Sequence, residues 1–197
     1  MKQSIYNAQD ALFLSPDLLG GKAANLAWMT REGFTVPAWW VITTAAFSQL
    51  LHENGLADFV ENALSGFSPT SDLSTLEPIA ADIRAKILAA KISNSLAIEL
   101  ENHFGASTDT YFAVRSSVLG EDAQGASFAG QMDSYLFQRG LNAIKESLLQ
   151  VCASAFNTRA LHYRLSKNIA LTDIRAAVIV QEMIEGEVSG VMFTAHP

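Results

Sequence analysis

Apolar residues along this chain recur with two periods, and the places where one gives way to the other predict its elements. Lys22 to Glu32 carries Leu26 and Met29 among good helix formers, with Gly33 where a helix stops, so a short helix is predicted there. Val36 to Thr43 contains Pro37, Trp39, Trp40, Val41 and Ile42, a β-branched and aromatic run that predicts a strand. A helix from Thr44 to Asn54 is expected to follow it. Residues 65–75, SGFSPTSDLST, are rich in Ser, Thr, Gly and Pro and predict a flexible loop. Leu76, Ile79, Ala80, Ile83 and Ile87 then return at helical spacing, and a further helix from Ser93 to Phe104 is expected to pack behind them.

The period changes at Tyr111. YFAVRSS opens a strand that runs into the Gly-rich stretch GEDAQGASFAGQ and out again through MDSYLFQ, which predicts strand, loop and strand. Leu141, Ile144, Leu148, Val151 and Ala155 define another amphipathic helix. Ala176 to Ile184 and Gly190 to Thr194 read as two closing strands joined by the turn EGEVS. The pattern is α+β, without repeats or low complexity. It divides into a helical and strand subdomain over 1–110 and a strand-rich subdomain over 111–197.

Composition narrows the classes. With 49% apolar and 17% charged residues in 197, the chain buries a core of its own, as one domain or two small subdomains. A net charge of −7 repels a phosphate backbone, so nucleic acid is a poor partner. The N-terminus MKQSIYNAQDALFLSPD is polar where a signal peptide is apolar, and no run reaches the roughly 20 apolar residues of a membrane span. The expectation is a soluble, cytoplasmic protein. Cys152, the one cysteine, stands at helical spacing with Leu148 and Val151 and reads as a small core residue.

Three segments carry candidate chemistry. In LLGGKAANL, residues 18–26, paired glycines release the backbone and Lys22 arrives at a helix start, a combination that suits an anion. It is no Walker A loop, because Pro16 and Ala23 stand where that pattern needs Gly and Ser or Thr. Taken alone, it reads better as a plain turn with a solvated lysine. In the second segment, Val114-Arg115-Ser116-Ser117 precedes Glu121-Asp122 and Ser127-Phe128-Ala129-Gly130-Gln131. An arginine at a strand end presents a planar fork of donors, and a Gly- and Ser-containing loop lays N–H groups over the same anion, so a phosphate clamp is favoured over a plain hairpin. The third, Val178 to Ile184, is an apolar strand turning polar at its end. It could offer an adenine edge a backbone and a side-chain amide, yet without other support it reads as an ordinary sheet strand.

In order, GGKAANL, VPAWWVITT, FAVRSSVLGED with ASFAGQMDSYL, and VIVQEMIEGEVSGVMFTAHP resemble the N-terminal ATP-binding region of phosphoenolpyruvate synthases over nearly the whole chain. Rifampicin phosphotransferases share this signature. The resemblance implies an ATP-grasp-like fold, of which this is the N-terminal part of the nucleotide-binding domain. It implies that Lys22 and Arg115 contact phosphates, that the loop with Gly130 covers them, and that Ser134 adds a hydroxyl. Gln181 with Glu182, Met183 and Ile184 would receive adenine, and Glu187 would reach the ribose.

In such enzymes ATP phosphorylates a histidine on a mobile domain, which relays the group to pyruvate. His52, His103, His162 and His196 match no such histidine and read as surface or satisfied polar residues. The family's metal-binding carboxylate lies downstream of Pro197, so the chain is expected to be truncated before the second half of the grasp. No catalytic residue and no metal ligand is therefore assigned within it. Among its own acidic residues, Asp133, Glu121 and Asp122 remain candidates for Mg2+, the last two reading better as a solvated loop. Ala23, Ala38-Trp39-Trp40 and His196 depart from the family's usual glycine, Pro-Gly-Phe and aspartate. The implied partners are ATP with Mg2+, a second grasp half and a phosphohistidine domain, and the acceptor is pyruvate or an antibiotic. A stand-alone nucleotide-binding module is the alternative.

Overall fold

A computed structural model of the chain describes residues 3–69, 71–118, 122–123, 126–127, 130–171, 174–188 and 190. In chain order the elements are β1 (Ile5–Asn7), α1 (Ala8–Ala11), α2 (Pro16–Arg31), β2 (Trp39–Ile42), α3 (Thr44–Glu53), α4 (Ala57–Leu64), α5 (Leu73–Leu88) and α6 (Asn94–Phe104). Then come β3 (Tyr111–Val118), β4 (Asp122–Ala123), β5 (Ala126–Ser127), β6 (Ser134–Arg139), α7 (Gly140–Ser154), α8 (Thr158–Ser166) and β7 (Ala176–Glu182). The α+β class holds.

Five strands form one antiparallel sheet in the order β1-β2-β7-β3-β6, and β4 pairs with β5 in a small ribbon. The sheet takes strands from both sides of residue 110, with β7 inserted between β2 and β3. Because side chains alternate across a strand, this order creates two faces. Phe112, Val114 and Val118 of β3 join Val178 and Val180 of β7 on one face, under the apolar sides of α3 to α8. Trp40 meets Phe104 and Phe112 edge to face there, with centroids 5.2 and 6.2 Å away, a favoured aromatic geometry. Truncating the fully buried Phe112 to Ala would cost about 3–5 kcal/mol. On the other face a smaller core joins Trp39, Val41, Ala177 and Ile179 to Ala11, Leu19, Ala23 and Ala27 of α1 and α2. Central β7 is covered on both faces, which is why it reads as an unbroken apolar run.

Several boundaries differ from expectation for local physical reasons. Helix α2 starts at Pro16, not Lys22, because the residues before the glycines also wind into helix and the chain bends at Gly20. The expected loop over 65–75 ends early, since the Asp72 carboxylate accepts the Ser74 N–H at 2.9 Å and starts α5 at Leu73. Strand 36–43 shrinks to Trp39–Ile42, the residues that find partners on β1 and β7. Strand 176–184 ends at Glu182. Helix α4 and strand β1 were not anticipated: α4 is one short apolar stripe, Val60 and Leu64, and β1 has three residues. Apart from Gly190, the strand expected over 190–194 lies outside the described residues, as do Glu121, Phe128 and His196.

Cys152 is buried in α7, and burial pushes its thiol up to about 12, as suits a core residue. Among the described residues no helix is long and apolar enough to cross a membrane.

Candidate functional site

The strand that carries the VRSS motif presents Arg115 and Ser117 to the face where α2 lies. Their neighbours on β7 are Ile179 and Ala177, and Ser134 of β6 stands directly across from Arg115. The half-buried Arg115 donates from Nη1 to Oε1 of Gln181 at 3.4 Å, across β3 and β7. Arg115, Ser134 and Gln181 therefore share one face of the sheet.

The bend in α2 brings the backbone on either side of Lys22 onto β3. Gly20 has φ 72 and ψ 174, which only glycine adopts without strain. A Cβ there would lie 2.3 Å from the Ser117 carbonyl oxygen and 2.6 Å from its hydroxyl, so the bend sits directly on β3. The Ala23 N–H donates to Ser117 Oγ at 3.0 Å. On the near side of the bend, Thr44 Oγ1 donates to the Asp17 carbonyl at 2.7 Å. Two hydroxyls thus hold α2 on either side of Gly20, and the half-buried Lys22 adjoins the Ala23 amide.

At the end of β7 the Glu182 N–H donates to the Ala38 carbonyl at 2.8 Å and the Met183 N–H to the Tyr111 carbonyl at 2.9 Å. The linker then leaves the sheet beside a cleft of about 620 Å³ walled by Tyr111, Phe137, Met183 and Ile184, with Asp109 and Glu185 at its rim. Phe137 is 67% exposed and Ile184 70% exposed, apolar surface that a sheet end has no structural reason to show. Phe137 sits where the β3 to β6 register slips, at φ 57, and its N–H points at the Met183 sulfur at 3.1 Å. Sequence reading named Met183 and Ile184 but missed Tyr111 and Phe137. The Phe137 wall depends on a bulge that alternation does not forecast.

The Gly-rich segment re-enters the described chain at Gly130, which is exposed at φ 71 with open space around it. Its base is pinned. Asp133 accepts from Arg159 Nη2 and, at 3.1 Å, from Asn157 Nδ2, while its own N–H donates to Ser154 Oγ at 3.2 Å. Arg159 also donates from Nε to the Gln131 carbonyl at 2.9 Å. Burial, and then the Asp133 charge, raise the Tyr135 hydroxyl above its ordinary value. Asp133, one of the expected Mg2+ candidates, is engaged as a structural clasp. Glu182 pairs with Phe112 and takes the face opposite Arg115. Glu187 is exposed beyond the end of β7.

His52 and His162 are exposed, and half-buried His103 packs against Phe104 with ring centroids 6.1 Å apart. Among the described residues no group of three or more His, Cys, Asp or Glu is placed to hold a metal ion.

The family model described as pyruvate phosphate dikinase, AMP/ATP-binding domain, matches residues 16–197. The chain belongs to that family. The chain is 34% identical over 186 residues to a probable phosphoenolpyruvate synthase of Methanothermobacter thermautotrophicus, covering 91% of this chain and 27% of that protein. A rifampicin phosphotransferase of Streptomyces sviceus is 36% identical over 182 residues, covering 91% of this chain and 21% of that protein. The phosphoenolpyruvate synthase of Neisseria meningitidis is 34% identical over 188 residues, covering 89% of this chain and 24% of that protein. The resemblance read from the motifs is thereby shown, and the chain spans about a quarter of the length of these relatives.

Proposed function

We propose that this domain holds ATP across the face of its sheet where α2 lies, as the nucleotide-binding part of a phosphoenolpyruvate-synthase-like phosphotransferase. The observation that carries this reading is the convergence on one face of Arg115, Ser134, Gln181 and the helical turn bearing Lys22, beside an exposed aromatic cleft. The donor set fits a triphosphate: a guanidinium fork, an ammonium, a hydroxyl and a helical segment that begins afresh after Gly20. The cleft fits adenine, with Tyr111 and Phe137 as aromatic walls and Ile184 as an aliphatic one.

In this reading Lys22 and Arg115 contact the phosphates, the segment at Gly130 covers them, and Ser134 adds its hydroxyl. The linker roles shift from those first expected. Glu182 and Met183 already use their N–H groups on Ala38 and Tyr111, so the amide offered to a purine edge is that of Ile184. Gln181 turns its oxygen to Arg115, so it serves adenine through its Nε2 donors. Glu187 would lie toward the ribose.

The architecture that goes with this arrangement is the N-terminal part of an ATP-grasp domain, the ATP being the magnesium complex. Bound Mg2+ neutralises phosphate charge, and its protein ligands belong to a second half of the grasp. Within the whole enzyme ATP would phosphorylate a histidine that relays the group to pyruvate, in the cytoplasm. The rifampicin phosphotransferase relatives support a second reading of the acceptor, an antibiotic hydroxyl in place of pyruvate.

Titration calorimetry of the chain and its Arg115→Ala variant with MgATP tests the reading. Saturable binding weakened about 10- to 100-fold by the substitution is expected for the loss of charge-assisted hydrogen bonds. Equal affinity of the two proteins would overturn it.

A further inference from the structure

We infer that Ser117 is the positioning residue that sets Lys22 against Arg115. The inference rests on ATP binding at this face and deepens it, by naming what fixes the spacing between two phosphate contacts that are far apart in sequence.

A residue at φ 72 and ψ 174 cannot continue the i→i−4 ladder of a helix. The amides that follow Gly20 are the first of a new helical segment and need partners from elsewhere. The partner of the Ala23 amide is the Ser117 hydroxyl, at 3.0 Å and 0% exposed, and Ala23 itself is 0% exposed. That bond joins the residue after Lys22 to the residue two past Arg115, on the same strand and the same face. Gly20 completes the contact by letting the α2 backbone come within van der Waals distance of the Ser117 backbone.

The hydroxyl has no geometric reason to be serine for packing alone. Its neighbours on this face, Ala177 and Ile179 of β7, are apolar, and alanine would fill nearly the same volume. What alanine cannot supply is an acceptor for a buried N–H at the turn that carries the ammonium group. With that acceptor lost, the first turn of the new segment has no fixed register on β3, and Lys22 loses its defined separation from the Arg115 guanidinium. Groups that meet the nucleoside end of the ligand, Tyr111 at the other end of β3, Phe137 on β6 and Ile184 beyond β7, are held by strand pairing and not by this hydroxyl, so they do not feel the loss.

The test is a double-mutant cycle on the chain, read by calorimetry with MgATP and separately with adenosine. Ser117→Ala is expected to weaken MgATP about fivefold, the worth of one hydrogen bond, with adenosine affinity unchanged. In the Lys22→Ala background Ser117→Ala should have no further effect, because no ammonium remains to be positioned. Effects of the two substitutions that multiply, or adenosine weakening in step with MgATP, would overturn the inference and make Ser117 a plain stabilising residue. Lys22→Ala binding MgATP as well as the unchanged chain would instead remove the phosphate-site reading, and this inference with it. Should Ser117→Ala not fold, Ser117→Thr decides: it keeps the acceptor, so MgATP affinity within about twofold of the unchanged chain is expected, and a loss equal to that of Lys22→Ala counts against the role.

Discussion

Tyr111 and Phe137 meet edge to face at the open end of the sheet, with ring centroids 6.2 Å apart and planes at 77°. They come from neighbouring strands, and the bulge that puts Phe137 at φ 57 aims it outward instead of into the helical core. Phe137→Ala should therefore leave stability within about 0.5 kcal/mol, as for an exposed side chain. Adenosine affinity should fall about three- to tenfold with the lost aromatic wall. Urea melts alongside calorimetry separate the two effects, and a large stability loss with intact affinity would mean that the cleft is only packing.

Gly20→Ala should destabilise the chain by more than about 2 kcal/mol. The new Cβ meets the Ser117 carbonyl oxygen at 2.3 Å, and the backbone at φ 72 and ψ 174 adds about 1–3 kcal/mol for any residue but glycine. Gly33→Ala offers the comparison: its φ of 81 is also positive, but its Cβ would meet nothing within 4 Å. Denaturant midpoints that shift equally in both variants would show that the contact with β3 contributes little.

Arg159→Ala removes both the ion pair to Asp133 and the bond to the Gln131 carbonyl. The side chains are 53% and 36% exposed, so global stability should change by less than about 1 kcal/mol. The local effect is larger, because these contacts tie the base of the Gly130 segment to the first turn of α8. Amide exchange at Gln131 to Asp133 should speed up, with MgATP binding weakened in parallel. Unchanged exchange rates there would show that Asn157 and Ser154 hold the base without it.

The Cys152 thiol titrates at about 12 in the folded chain against an ordinary 9.0, since burial penalises the thiolate. The unfolded chain binds fewer protons between those values. The stability this group contributes is complete below about pH 9 and is lost as pH rises from there toward 12. A thiol reagent at pH 8 should accordingly modify denatured protein quickly and native protein only at the rate of opening. Rapid modification of the native chain would place Cys152 at the surface.

Much of this architecture was legible from period and composition. The 3.6-residue spacing of Leu76 to Ile87 and of Ile144 to Val151 specifies helices with one apolar side, and such sides have to be covered. The run from Ala176 to Val180 is apolar at every position because it is buried on both faces, and Cys152 could be assigned to the core from its neighbours alone. Arg115, at a strand end before a Gly- and Ser-containing loop, stood out by its chemistry, whereas Gly20 to Lys22 and Gln181 gained weight only from the order in which the motifs resemble the family. What the chain could not disclose by itself was their juxtaposition. Strand β7 enters between β2 and β3, and only that long-range pairing brings Gln181 beside Arg115. The three residues of β1 have too little local signal to be a strand; pairing with β2 and the Glu99 carboxylate, 2.9 Å from the Ser4 and Ile5 amides, makes them one. The bend at Gly20, the bulge at Phe137 and the Asp133 clasp likewise depend on atoms distant in sequence. Periodicity is a property of neighbours along the chain, so it determines the elements. Close approach, register and the sharing of a buried hydroxyl are properties of neighbours in space, and those the tertiary structure decided.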